Sequence, residues 1–329
     1  MIAGIDPLLV VAMTIMLGLL ISAVGAPFLL RRAAPALMHR PRTAAHLLTA
    51  GMGLWVLATL ALGPLFAWVL AGPRLLGHTP QSCGRCSVGS SDGPFATEIP
   101  PSAIFLLVAS ALVGGALVSS LLVEGSRRAR ITRQASARLR RRGVSTTLHG
   151  HDVLVVDDPQ PFAVALPGRR GGIVLSTKAL GVLGQKELAA VLAHEAAHLE
   201  QGHHLLGGFA ALLSRPLRAV PLMAAAADAV PHYLEIAADD AAKACVGTPA
   251  LASALLLLGE PAGPRETEFC EAHALHAAGP QRIRHLVCPV DPAPAARPAV
   301  LLAAGVIALA LAGATAPLPY VGTALRGCL

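Results

Sequence analysis

Four uncharged apolar runs constrain this chain more than anything else in it. Residues 8–30, 47–70, 103–123 and 299–316 contain no Asp, Glu, Lys or Arg. A helix that crosses a bilayer needs roughly 20 apolar residues at 1.5 Å each, and all four runs approach or exceed that length. The 329 residues are 54% hydrophobic and 14% charged, with a mean hydropathy of +0.61. A soluble domain carries about a quarter charged residues, so these values exclude disorder, a coiled coil and a small disulfide scaffold. The expected architecture is an α-helical multi-span membrane protein carrying one polar-facing domain. A fifth stretch, 205–230, is apolar on average but holds Arg215, Pro216, Arg218 and Asp228. It reads as helices lying against the domain or the membrane surface. Residues 1–7 lack the basic residues of a cleaved signal peptide.

Basic residues set the expected orientation. Arg31, Arg32, Arg40 and Arg42 follow the first run, and a cluster from Arg127 to Arg142 follows the third. Between the second and third runs, Arg74 and Arg85 are offset by Asp92 and Glu98. The positive-inside rule then places the N-terminus and the short tail outside. Residues 1–123 form three spans, with a cytoplasmic loop at 31–45 and an outer loop at 73–100. Residues 124–298 form a cytoplasmic domain, and 299–329 form the fourth span and tail. The net charge of +7 restates this topology. With no aromatic residue among the arginines, it calls for the lipid bilayer as partner and for no nucleic acid. Arginines outnumber lysines 23 to 3, a bias typical of a GC-rich bacterial genome, so a bacterial cell membrane is expected.

On this topology Cys83, Cys86 and Cys328 fall outside, and Cys245, Cys270 and Cys288 inside. Cys83-Gly-Arg-Cys86 is compatible with a small disulfide loop, a redox-sensitive pair or an inert one. The inner three share no metal-ligand spacing and read as buried thiols.

The 124–298 segment opens with a basic helical stretch to about Arg142 and turns at Gly143. Three short runs then follow, at 153–156, 162–166 and 173–175, punctuated by Pro159, Pro161, Pro167 and Gly171-Gly172. Their length and β-branched content predict a small sheet. From about Gln185 the spacing of Leu188, Val191, Leu192 and Leu199 predicts an amphipathic helix ending near Gly202.

That helix carries His194-Glu195-Ala196-Ala197-His198. Histidines at i and i+4 share one face, so their imidazoles can converge on one ion, and the intervening glutamate can serve as general base. A catalytic zinc takes three protein ligands and keeps one position open. Two residues compete for the third place. His204 stands ten residues after His194, but the glycine that would turn the chain there is Gly202, one residue late. Glu235 lies in Glu235-Ile-Ala-Ala-Asp239, where Glu235 and Asp239 again share a helical face, and is preferred. Asp239 can then accept a hydrogen bond from a ligating histidine and fix its tautomer. His203 and His204 otherwise read as a solvated helix end.

His194 to His198 followed by Glu235 and Asp239 resembles the gluzincin membrane metallopeptidases, both the BlaR/MecR-type antirepressor peptidases and the HtpX-type proteases. The wider string Pro161-Phe-Ala163, Ile173-Val-Leu-Ser176 and Glu187 to Glu195 is very similar to the BlaR/MecR branch. The resemblance covers about residues 124–290 and the arrangement of three spans before the domain and one after it. It implies a cytoplasmic α+β zincin-like domain with Zn²⁺ held by His194, His198 and Glu235 and with Glu195 as the catalytic base. Asp239 is implied behind the ligands. His276, Pro280, Arg282 and Ile283 echo a segment of the HtpX-type branch thought to hold the substrate carbonyl, which adds His276 and Arg282 as catalytic candidates. Tyr233 and His232 compete with His276 for the oxyanion. Implied partners are a protein or peptide substrate and a cytoplasmic transcriptional repressor. The chain contains no Ser-x-x-Lys, so direct covalent sensing of β-lactams is not expected.

The competing reading is a non-catalytic membrane signalling or scaffold protein with a structural or vestigial zinc site, completed by His203 or His204. A transporter is disfavoured because the four runs hold almost no polar residue to line a pathway. The orientation is directly testable. A reporter active only in the cytoplasm is expected to work when fused after Arg142 and to fail when fused in the 73–100 loop; the reverse pattern would invert the topology.

Overall fold

The computed structural model describes residues 7–72, 99–168, 172–258, 295–315, 317, 318 and 320–322. Among these, four helices are long and apolar enough to cross a membrane. They are α1 (Pro7–Met38), α2 (Pro41–Ala71), α3 (Pro101–Arg142) and α9 (Ala296–Thr315). The expected loop at 31–45 is helix almost throughout. Only His39 and Arg40 separate α1 from α2, and Pro41, which needs no amide partner in a first turn, starts the second helix. At 32 and 31 residues, α1 and α2 exceed the roughly 20 that span a bilayer, leaving about ten residues each to extend beyond it.

Small residues let the spanning helices close on one another. At Gly63 of α2, an added Cβ would lie 2.9 Å from Ser110 Cβ and 3.0 Å from the Leu106 carbonyl of α3. Trp55 of α2 fixes the other neighbour, its indole N–H donating to the Leu19 carbonyl and to Ser22 Oγ of α1. α3 then runs unbroken through the basic stretch to Arg142. Glu124 of α3 contacts Arg127, Arg128 and, across to the next helices, Arg215.

Beyond Gly143 the predicted sheet is present, with one strand more than the hydrophobic pattern shows. The strands are β1 (Val144–Leu148), β2 (His151–Val156), β3 (Ala163–Leu166) and β4 (Gly172–Ser176), in the order β1-β2-β4-β3. β1 was invisible as a core strand because it is largely exposed and polar. It pairs antiparallel with β2 through a two-residue turn at His149-Gly150, both with positive φ. β2 and β4 run parallel, and β3 returns antiparallel to β4 and lies at the sheet edge. Ser176, fully buried, holds this corner. Its Oγ accepts from the backbone N–H groups of Phe162 and Ala179, so one hydroxyl ties the approach to β3 and caps α4 (Thr177–Val182).

The remaining helices are α5 (Gln185–Glu200), α6 (His203–Leu217), α7 (Pro221–Val246) and α8 (Thr248–Leu258). As expected from its charges, 205–230 does not form a span. It forms α6 from Leu205 onward and the first part of α7, and Arg218, in the turn between them, pairs with Asp228 at 3.0 Å on the surface. Two hydrophobic clusters organise these helices. One joins Leu30, Ala33 and Leu37 of α1 and Ala45, Leu48 and Met52 of α2 to α6 and to Met223, Ala226 and Val230 of α7. The other joins the sheet and α4 to Leu192 of α5, Ala242 of α7 and Leu251 and Leu255 of α8. Asp239, Ala242 and Val246 turn inward at helical spacing. Cys245 is therefore turned out and exposed, correcting the expectation of a buried thiol. Cys83, Cys86, Cys270, Cys288 and Cys328 lie outside the described residues.

The α2–α3 contact yields a stability test. Gly63→Leu overpacks it and is expected to cost about 1–3 kcal/mol, read as a lower midpoint of denaturant unfolding in detergent; an unchanged midpoint would show the contact to be loose.

Candidate metal centre

Alanine, leucine and glutamate, strong helix formers, dominate α5, and its first turn carries Glu187 where the helix dipole favours an acid. Val191 and Leu192 point into the core, so the same helical face that follows them brings His194 and Glu195 inside. In α7, Glu235 and Asp239 stand one turn apart and face α5. Two helices thus each present a pair of polar groups at i and i+4.

Among the described residues, His194, His198 and Glu235 form a group able to hold a metal ion, with one ligand atom from each lying within 4.8 Å of the others. The separations are 3.1 Å between the two Nε2 atoms, 3.6 Å from His194 Nε2 to Glu235 Oε2 and 3.5 Å from His198 Nε2 to Glu235 Oε1. A tetrahedral zinc with bonds of roughly 2.0–2.1 Å needs ligand–ligand edges of about 3.3 Å. The three edges bracket that value, and the nitrogen–carboxylate donor set suits zinc, so these residues fit the ion that the motif implies.

Behind the donors, His194 Nδ1 lies 3.0 Å from Asp239 Oδ1, and both side chains are 1% exposed. Burial by itself lowers the pKa of the His194 imidazole, but Asp239 and Glu235 outweigh it and raise the value to about 10. His203 is a correction. It is buried at 2% exposure, not solvated, with Nδ1 3.0 Å from His198 Nδ1 and Nε2 3.2 Å from Gln201 Oε1. Gly202, at φ 63°, takes the left-handed conformation that turns the chain out of α5 and lays His203 back on His198. Burial, aided by His194 and by Arg42 and His46 from α2 and opposed by Glu235, lowers its pKa to about 4, leaving it neutral at pH 7.

The other expected residues sort clearly. Glu195 is buried beside the first ligand. His204, the rival third ligand, is not brought into the group. Tyr233 packs in the cluster with α1 and α2, and burial raises its hydroxyl to about 12; standing two residues from Glu235, it projects from nearly the opposite side of α7. His232, three residues from Glu235, shares its face. His276 and Arg282 lie outside the described residues. His203 was legible only through its position on the far side of a turn-forming glycine, a signal that hydrophobic periodicity does not carry.

Residues 125–232 match the model of Peptidase family M48. This supports a membrane-type metallopeptidase, coarser than the antirepressor subtype. The match runs from the basic half of α3 to the middle of α7, stopping three residues before Glu235. No curated protein and no solved structure matches the chain.

Since His194 binds a proton in the folded, metal-free protein that the unfolded chain releases above its ordinary value near 6.5, stability from this group is complete below that pH. It is lost as pH rises towards about 10. The metal-free protein is therefore expected to melt at lower temperature at pH 9 than at pH 7. Zinc, which needs the unprotonated nitrogen, is expected to displace a proton on binding at pH 7. Calorimetry in buffers of different ionisation enthalpy reads that release; binding without it would contradict the charged state of His194.

Proposed function

We propose that this chain is an integral-membrane zinc endopeptidase that hydrolyses peptide bonds of cytoplasmic or membrane-proximal proteins. The observation that carries the reading is the convergence of His194, His198 and Glu235 within 4.8 Å, two of the three inside a segment matching a peptidase family. In this reading the three side chains ligate zinc, and Asp239 holds His194 with its Nε2 lone pair directed inward. When bound, zinc supplies Lewis acidity, polarising a carbonyl and lowering the pKa of water towards neutrality. Glu195 takes the proton of the attacking water and passes it to the leaving amine, acting first as general base and then as general acid.

Substrate binding follows from the sheet. β3 is an edge strand next to α5, so an extended peptide can add to it through main-chain hydrogen bonds and lie across the site without a strict sequence requirement. His232, on the same face of α7 as Glu235, is the better placed of the two α7 candidates for the developing oxyanion. The basic residues flanking the spans favour a cytoplasmic site. The packing of α6 and α7 on the ends of α1 and α2 favours substrates that come close to the membrane. A transcriptional repressor is the substrate that the antirepressor resemblance puts forward.

Glu195→Gln decides between a peptidase and a structural zinc site. It is expected to keep wild-type zinc content and to lose proteolysis of a casein-type substrate by about 10²–10⁴-fold, the usual worth of a general base. Equal activity in the variant, or none in the wild type with zinc bound, would overturn the catalytic reading.

A further inference from the structure

His203 is a buried histidine that the peptidase reading leaves without a task. It opens α6, is 2% exposed and touches two polar partners, His198 and Gln201. A solvated histidine at a helix start needs neither contact, and burying an imidazole among apolar helices costs free energy unless its nitrogens are matched. Here both nitrogens are within hydrogen-bond distance of a partner.

The protons in this chain of three groups have one arrangement that leaves His198 able to bind a metal. Gln201 Oε1, 3.2 Å from His203 Nε2, can only accept, so that nitrogen carries the hydrogen. For His198 to offer Nε2 to a metal, its own Nδ1 must carry the ring hydrogen, which leaves His203 Nδ1 as the lone pair that faces it. The group 3.0 Å away, His198 Nδ1, must then donate to it. With its proton on Nδ1, His198 has its lone pair on Nε2, the atom that lies 3.1 Å from His194 Nε2 and 3.5 Å from Glu235.

We propose that His203 is a positioning residue of the metal centre, fixing the tautomer and the ring orientation of His198 as Asp239 does for His194. This rests on the zinc-peptidase reading above. The two anchors differ in kind. Asp239 offers a carboxylate, which makes its imidazole a stronger donor to a metal, whereas His203 offers a ring nitrogen and orients without a carboxylate. His198 is accordingly the weaker of the two histidine ligands. Gly202 is part of the device, since its left-handed turn is what returns residue 203 to a ring five positions earlier.

The test uses the full chain in detergent and reads zinc affinity by competition with a chromogenic chelator. His203→Phe keeps a ring and removes the acceptor; His203→Asn places an amide oxygen where Nδ1 stood. The Phe variant is expected to bind zinc about 10–100-fold more weakly, the usual cost of losing such a partner, and the Asn variant to stay within a few-fold of wild type. In the cobalt-loaded proteins, the visible absorption bands are expected to shift for Phe and to hold for Asn. Wild-type affinity in the Phe variant overturns the proposal, as does equal weakening by Phe and Asn, which marks a packing role. Should a His203 variant fail to fold, Gln201→Leu takes its place: weakened zinc binding supports the relay, and wild-type affinity overturns it. If the wild type itself takes up no zinc, the peptidase reading falls and this one with it. A zinc-loaded wild type matched by His203→Phe sinks the positioning role alone.

Discussion

The pairing of His194 with Asp239 is the contact around which the rest of the polar interior is arranged. Both side chains are almost wholly buried, one on α5 and one on α7, with 3.0 Å between Nδ1 and Oδ1. A lone carboxylate at that depth is too costly to keep ionised, and a lone imidazole would lose its proton. The 3.0 Å contact offsets both costs, and it fits one rotation of each helix about its own axis. Once Asp239 meets His194, the residue one turn earlier on α7, Glu235, meets the residue one turn later on α5, His198. The metal-binding geometry is thus a by-product of two i, i+4 ladders locked at one rung.

That ladder was readable from the amino-acid order because helical spacing is a short-range rule. Two histidines four apart and two carboxylates four apart specify two faces, and in the structure the two faces meet. The four long apolar helices were readable for a similar reason, being long runs whose character needs no partner to interpret. Three strands out of four followed from β-branched runs between turns. β1 did not, since an exposed edge strand of Ser and Thr buries little and leaves no apolar signature. Cys245 was misjudged because residue type alone suggested burial, when its rotation relative to Asp239 and Ala242 decides the matter. The burial of His203 was misjudged because its surroundings come from a backbone reversal at Gly202, and neither propensity nor periodicity reports where a chain goes after a left-handed residue.

The loop expected at 31–45 failed for a different reason. Its bounds came from where the apolar runs end, yet Arg31, Arg32 and Arg42 sit on helix ends that continue past those runs. The positive-inside rule concerns which side the charges occupy and is silent about backbone conformation. Extending α1 and α2 creates a platform, and it is on this platform that α6 and the first half of α7 bury their apolar side.

This platform bears on what could be detached. α7 is a single rod whose early residues Met223, Ala226 and Val230 are sealed by α1 and α2, while Ala242 belongs to the core beneath the sheet. Cutting the chain ahead of the sheet to obtain a water-soluble domain would strip the cover from one half of the rod that carries Glu235. The bared stripe, uncharged and alanine-rich, would seek another apolar surface, its own copy included. The long apolar helices and the candidate metal centre share one interior here, so α1 and α2 are less a tether for the domain than one of the walls of its fold.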